Sequence, residues 1–287
     1  MNIMEAMETR RSTRSFSGEA LTAAEAGELS GMLAATEGET APFGHKVRLA
    51  LAGGGMGGDA ARPVKLGTYG LVSGASAFIV PAVVPGAGAM EDSGYMVEKA
   101  VLEATAMGWD SCWIGGVFDR GKAAGIVGLA EGELVPAVIA LGKASARRSI
   151  ADRIVTGAAK SRSRKPMESL VFAVDGRPLA DPWTGPASAM RGAPSASNKQ
   201  PWRLVRLPGG DEWLMFLDED RIYNNSLGEA HLQNLDTGIG MRHFREAARS
   251  AGLEGRWSPL PEPDDRLGRA LRFGREKGWI PIALWRR

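Results

Sequence analysis

Apolar residues recur at two periods along this chain, and the switches between them mark out its elements. LTAAEAGELSGMLAAT, from Leu21 to Thr36, has Ala, Leu and Met at helical steps behind Thr22, with Glu25 three residues on. That is a capping box opening a helix. KVRLALAGG from Lys46 alternates as a strand does, whereas SGYMVEKAVLEATAMGW, Ser93 to Trp109, returns to three- and four-residue steps and predicts a core helix. CWIGGVF from Cys112 and LVPAVIALG from Leu134 are short, apolar and strand-like. GASAFIVPAVVPGAGAM, Gly74 to Met90, is the most apolar passage, but Pro81 and Pro85 interrupt it before the ~20 residues of a membrane helix. It reads as buried strand and turn.

The same rhythm occurs twice. DSGYMVEKAVLEATAMGWDSCW, from Asp92, lies without a gap on DTGIGMRHFREAARSAGLEGRW, from Asp236, and Asp, Gly, Ala and Trp recur in register. SGEAL at Ser17 pairs with DGRPL at Asp175, TAPFGHKVRLAL at Thr40 with GAPSASNKQPWRLV at Gly192, and VPAVIAL at Val135 with IPIALW at Ile280. Two copies of one unit, residues 1–160 and 161–287, intertwined as one compact body, is the simplest account. Such a chain is expected to act as a monomer with an internal pseudo-two-fold axis and a site between its halves.

Composition adds bounds. The chain has 287 residues, 44% hydrophobic, with 35 basic against 33 acidic residues, so a basic site must be local and neither a nucleic-acid nor a membrane partner is expected. A single cysteine, Cys112, rules out an intrachain disulfide, and MNIMEAMETRR lacks a secretory apolar segment, so a cytoplasmic setting is expected. His45, His231 and His243 have no ligand spacing with Cys112, and no metal site is expected. These histidines read as core or surface residues, and Cys112 as packing. GGGMGG, Gly53 to Gly58, has dinucleotide-fingerprint spacing, yet Pro63 leaves no room for the helix that must receive a pyrophosphate. A flexible glycine loop explains it better.

Four stretches could carry chemistry. In RRSTRSF, Arg10 to Phe16, an extended backbone would turn Arg10, Ser12 and Arg14 to one side, presenting two guanidinium forks and a hydroxyl suited to phosphate oxygens. A solvated basic run is the plain alternative. GAPSASNKQPW, Gly192 to Trp202, is a loop bracketed by Pro194 and Pro201, able to offer backbone and amide groups to a flat polar edge, or to be a surface Asx-turn. The glycine pair Gly115 and Gly116 permits close backbone approach, or simply a tight turn. KSRSRKPMESL, from Lys160, is either a solvated linker or a phosphate-gripping arm.

Together these stretches resemble the nitroreductase family of flavin enzymes. Arg10, Ser12, Arg14 and Phe16 match its N-terminal signature, and PSASNKQPW, Pro194 to Trp202, matches its Pro-Ser loop. Because that loop sits in the second copy, the chain looks like the branch in which one chain folds as a pseudo-dimer. The resemblance implies an α+β fold of central, mostly antiparallel sheets flanked by helices. It implies FMN, with Arg10, Arg11, Ser12, Arg162 and Arg164 at the phosphate and adjoining polyol chain. Arg14 would tune the pyrimidine edge, with Pro194, Ser195, Ala196, Ser197 and Asn198 against the ring and polyol, and Gly115 and Gly116 near N5. Arg147 and Arg148 are alternatives to Arg162 and Arg164. Trp113 and Trp202, next to these segments, could touch the ligand. No catalytic side chain is implied, since the flavin carries the chemistry: hydride from NADH or NADPH to a nitroaromatic, quinone or similar acceptor, by ping-pong turnover. The alternatives are a flavin-binding sensor, carrier or degenerate paralogue, and nucleic-acid binding by Lys143 to Lys165. Laying the opening motif on the second copy puts Glu168, Leu170 and Phe172 where Arg10, Ser12 and Arg14 stand, which predicts one flavin per chain.

Overall fold

The computed structural model describes residues 1–53, 65–68, 70–146, 163–179 and 181–287. The glycine run beyond Gly53 and the candidate ligands Arg147, Arg148 and Arg162 lie outside the described residues. The described helices are α1 (Ile3–Thr9), α2 (Ala23–Glu37), α3 (Ala89–Ala106), α4 (Arg120–Val127), α5 (Thr184–Gly192), α6 (Arg221–Asn224), α7 (Leu232–Ser250) and α8 (Asp265–Glu276). α2 opens as its sequence predicts: the Thr22 hydroxyl accepts the Glu25 N–H, and the Glu25 carboxylate accepts the Thr22 N–H at 2.8 Å.

Strands β1 (Arg48–Ala52), β2 (Ala77–Ala82), β3 (Asp110–Ile114) and β4 (Val138–Gly142) form an antiparallel sheet of order β1-β2-β4-β3. The second sheet joins β5 (Val171–Ala173), β6 (Trp202–Arg206), β7 (Trp213–Leu217), β8 (Arg256–Ser258) and β9 (Ile280–Arg286) in the order β5-β6-β7-β9-β8. Only β5 with β6 is parallel. Leaving β5 aside, β6-β7-β9-β8 repeats the strand order of the first sheet, and α7 occupies the place in its half that α3 occupies in the first.

Both faces of both sheets are covered, which is why the strands read as nearly unbroken apolar runs. Alternate residues sort to opposite faces. Ile79, Ile139 and Leu141 from the first sheet meet Trp213, Met215, Ala283 and Trp285 from the second in one central core with α3 and α7. Phe78, Val80, Val138 and Ala140 face outward under Ala123 and Val127 of α4. Leu214, Phe216 and Leu284 lie likewise under Leu267 and Ala270 of α8.

The seam of this core is the contact between α3 and α7. A Cβ built on Gly94 would stand 2.0 Å from the Leu235 carbonyl oxygen, and one on Gly238 would stand 1.9 Å from the Glu91 carbonyl oxygen. Each glycine stands two residues after an aspartate, Asp92 or Asp236, and the helices meet backbone to backbone, each at the other's glycine. No side chain can yield there, since the obstructing atoms are main chain.

The topology corrects one expectation. Phe172 pairs with Val205 on β6, whose place corresponds to β1, whereas Ser12 bridges Ser111 on β3, at the far edge of the first sheet. Glu168, Leu170 and Phe172 are therefore not the counterparts of Arg10, Ser12 and Arg14. A short alternating segment fits either sheet edge, so its rhythm could not tell them apart. The inference of a single flavin cannot rest on that pairing.

Gly94→Ala and Gly238→Ala are each expected to lower unfolding free energy by about 1–3 kcal/mol through overpacking. Gly27→Ala, on the open face of α2, should raise it by about 1 kcal/mol. Urea denaturation midpoints of the three variants test the contrast.

Candidate active site between the halves

After α1 the chain runs extended along β3: Ser12 bridges Ser111, and the Thr13 N–H donates to the Ser111 carbonyl at 2.9 Å. That pairing imposes the alternation. Arg10, Ser12 and Arg14 line a cavity of about 1320 Å³, while the Thr13 hydroxyl donates to Asp110 at 3.3 Å. Phe16 anchors the segment in the core beneath α4. At the end of β3, Gly115 and Gly116 line the same cavity. Gly115 lacks a side chain where Leu232 packs, because a Cβ there would come within 2.7 Å of that leucine.

The facing wall comes from the second half. Pro194, Ser195, Ala196, Ser197 and Asn198, following α5, all line the cavity. Their loop is tightly wound: Ser197, Asn198 and Gln200 have φ of 50°, 55° and 47°. Such left-handed backbone in non-glycine residues costs on the order of 1–3 kcal/mol each and persists only where surrounding bonds hold it. Those bonds are present. The Ser195 hydroxyl accepts the Gln200 N–H at 2.9 Å, the Tyr223 and Ser197 hydroxyls are 3.1 Å apart, and Asp236 at the start of α7 accepts the Ala196 N–H at 2.9 Å. Asp92, at the same place on α3, accepts the N–H groups of Phe43 and His45, each at 2.9 Å. In each case, then, a buried aspartate holds the loop ahead of a strand, β1 for Asp92 and β6 for Asp236.

Arginines crowd one end of the cavity. Arg164 donates to Asn198 Oδ1 at 3.3 Å and to the Gly192 carbonyl at 2.9 Å, tying the arm to the loop. Burial pushes its pKa down, and the neighbouring charges of Arg10, Arg191 and Arg11 push it further. Arg10 is 8% exposed, and burial likewise lowers its pKa against the opposing charge of Glu98. Its Nη1 is buried with no hydrogen-bond partner among the described residues. Guanidinium groups crowded together at a cavity wall are the arrangement that anionic oxygens would satisfy. Arg11 lines the cavity too, but its Nη1 donates to the carbonyls of Glu8, Thr9 and Arg10 and so closes the end of α1.

A family model described as "Putative TM nitroreductase" matches residues 2–248. The chain belongs to this nitroreductase family, and with it to the oxidoreductases. Among solved structures, a putative nitroreductase from Thermotoga maritima is 19% identical, with a TM-score of 0.59 and 91% of each chain covered. A nitroreductase with bound FMN from Bacteroides fragilis is also 19% identical, covering 52% of this chain and 92% of its own, with a TM-score of 0.38. A nitroreductase family protein from Clostridium novyi is 18% identical over 52% of this chain and 90% of its own, with a TM-score of 0.39. No curated protein matches in sequence.

Within this nitroreductase, sequence reasoning missed part of the cavity. Met4 and Met7 of α1, Tyr223, Leu227 and Leu232 line it without any motif to announce them. His243 lines it as well; it is 1% exposed and bonded through Nε2 to Glu98 Oε1 at 2.8 Å. Reading it as a core histidine captured its burial but not that lining role. Trp113 lines the cavity, whereas Trp202 is wholly buried in the central core and does not. Cys112 is buried and also forms part of the lining. Among the described residues no cluster of three or more metal-ligating side chains occurs, and no helix is long and apolar enough to cross a membrane.

The two aspartates give the site a pH signature. Burial pushes the Asp236 carboxyl up to about 8 and the Asp92 carboxyl up to about 6, in each case against opposing backbone N–H bonds. Between the usual 3.8 and these values the native state retains protons that the unfolded chain releases, so their contribution lowers stability as pH rises. Asp236→Asn keeps an oxygen for the Ala196 N–H but cannot ionise. Its urea midpoint relative to the native protein should climb steadily from pH 5 to pH 8. A difference that stays constant with pH would show that Asp236 is already ionised at the lower pH.

Proposed function

We propose that this nitroreductase binds one FMN in the cavity between its halves and works as a flavin-dependent oxidoreductase. The carrying observation is the grouping of cations in the cavity wall: Arg10, Arg11 and Arg164 all line it, and the charges of Arg10 and Arg11 act on Arg164. A phosphate dianion suits that grouping, because two or three cations balance its charge through charge-assisted hydrogen bonds. We also read the chain as two tandem copies, residues 1–160 and 161–287, acting as a monomeric pseudo-dimer. The repeated strand order and the reciprocal glycines support that reading.

When bound, FMN would supply a relay that takes hydride from NADH or NADPH and passes it to a nitroaromatic, quinone or similar acceptor in ping-pong fashion. The protein's share is binding, orientation and electrostatics. Arg10, Arg164 and Ser12 would hold the phosphate end, with Arg11 adding charge nearby. Arg14 would place positive charge at the pyrimidine edge, where reduction adds negative charge. The strained loop Pro194 to Asn198, held from behind by Asp236, would present its polar groups to the ring and polyol without reorganising. Gly115 and Gly116 would leave one face of the ring open to small partners.

The purified protein should be yellow or become so with FMN, and denaturation should release at most one FMN per chain. NADH or NADPH should then bleach the bound flavin. A yellow protein that neither donor reduces would favour a sensor or carrier, and failure to bind FMN in excess would refute the reading. Arg10→Ala should weaken FMN about tenfold or more while leaving riboflavin, which lacks the phosphate, little changed. Flavin fluorescence titrations of the two ligands measure both.

A further inference from the structure

Residues 218–231 join β7 to α7, whereas residues 83–88 suffice to join β2 to α3, the corresponding elements by strand order. The fold therefore does not require the additional chain. The longer connection carries α6 and a 3₁₀ turn, Asn225–Leu227, and its residues Tyr223, Ser226 and Leu227 line the cavity.

That connection is firmly held. The Asn224 side chain, 1% exposed, donates to Glu219 Oε1 and Asn234 Oδ1, each at 2.9 Å, and accepts the Gln233 N–H at 2.8 Å. Asp220 caps α6 and pairs with Lys199 at 2.9 Å, and the Tyr223 hydroxyl meets that of Ser197 in the strained loop at 3.1 Å. Leu227, three residues beyond Asn224, is placed by these bonds, yet it is only half-buried, so the core does not consume its side chain.

What Leu227 borders is the glycine turn at the end of β3. A Cβ built on Gly116, itself exposed, would stand 3.9 Å from Leu227 Cδ1, an ordinary van der Waals contact, and Leu232 packs next to it against Gly115. Whatever occupies the cavity at this turn meets the Leu227 methyl groups as well. With Val117 and Leu232, which also line the cavity, Leu227 makes this part of the wall apolar, as a flat aromatic ligand requires. A side chain fixed in position also limits how wide that ligand can be.

Resting on the flavin reading above, we infer that Leu227 is a specificity-determining residue: it bounds the space beside the glycine turn, where the acceptor would meet the flavin ring, and restricts the site to compact aromatic acceptors such as single-ring quinones and nitroaromatics.

The test uses the FMN-loaded protein with its flavin photoreduced anaerobically, so that binding of a nicotinamide donor does not enter. Stopped-flow absorbance follows reoxidation by p-benzoquinone and by the larger phenanthrenequinone. The readout is the ratio of the two second-order rate constants in each variant against the same ratio in the native protein, so the quinones' intrinsic reactivities cancel. Leu227→Ala, which shortens the side chain to its Cβ, should raise the ratio in favour of the larger quinone about tenfold, and Leu227→Phe should lower it by about as much. Ratios unmoved in both variants, or moved in the same direction, would overturn the inference and leave the flavin reading intact. Should the native protein bind no FMN, or p-benzoquinone fail to reoxidise its reduced flavin, the flavin reading itself fails, and this inference with it.

Discussion

The close approach of α3 and α7 at Gly94 and Gly238 is the constraint on which the remaining geometry depends. Two helices can come this near only where both lack a side chain, and the obstructing atoms are carbonyl oxygens that cannot rotate away. Each sheet is then pressed against this helix pair from its own side, so Trp213, Met215 and Trp285 of one sheet share a core with Ile79 and Ile139 of the other. Two residues before each glycine stands an aspartate, Asp92 or Asp236, whose carboxylate receives backbone N–H groups of a loop. Packing at the seam thus sets the position of the loop Pro194 to Asn198 relative to Arg10, although these groups lie far apart in sequence.

The two sides of the seam differ in charge. Six residues beyond the paired aspartates, α3 carries Glu98 and α7 carries Arg242; one step further they carry Lys99 and His243. Glu98 and His243 meet each other beneath the cavity. Arg242 and Lys99 are instead absorbed into a network with Glu246, Glu39 and Glu103, Arg242 to Glu246 at 2.8 Å and to Glu39 at 3.1 Å. Buried cations paired in this way are structurally closed, since removing one partner would leave the other uncompensated. Arg10 instead lines the cavity.

Much of this was legible in the chain itself. The capping box at Thr22, the helix through Glu98 and the strands around Ile79, Cys112 and Ile139 follow from periodicity, because covering both sheet faces demands apolar runs and the central helices demand regular spacing. The repeat beginning at Asp92 and Asp236 marked the helices that cross. Other parts left little trace. Short α1 has a capping box, Asn2 with Glu5, but its seven residues are too few for helical spacing to show; the Trp213 to Leu217 run, after Pro208-Gly209-Gly210, is too short and uniformly apolar to show a period; and the segment around Phe172 shares its rhythm with either sheet edge. His243 gave no signal as a lining residue because the side chain that fixes it there, Glu98, is 145 residues away.

By itself the sequence determined the family, the elements and the two stretches that form the facing walls, because those depend on local spacing and on residue types such as the alternating Arg10, Ser12 and Arg14. Only the tertiary structure decided which wall groups are unsatisfied. Whether a guanidinium or an imidazole has a partner depends on what other parts of the chain bring within about 3 Å of it. The seam between α3 and α7 does that work, putting Glu98 between Arg10 and His243 and leaving Arg10 Nη1 and His243 Nδ1 without partners among the described residues.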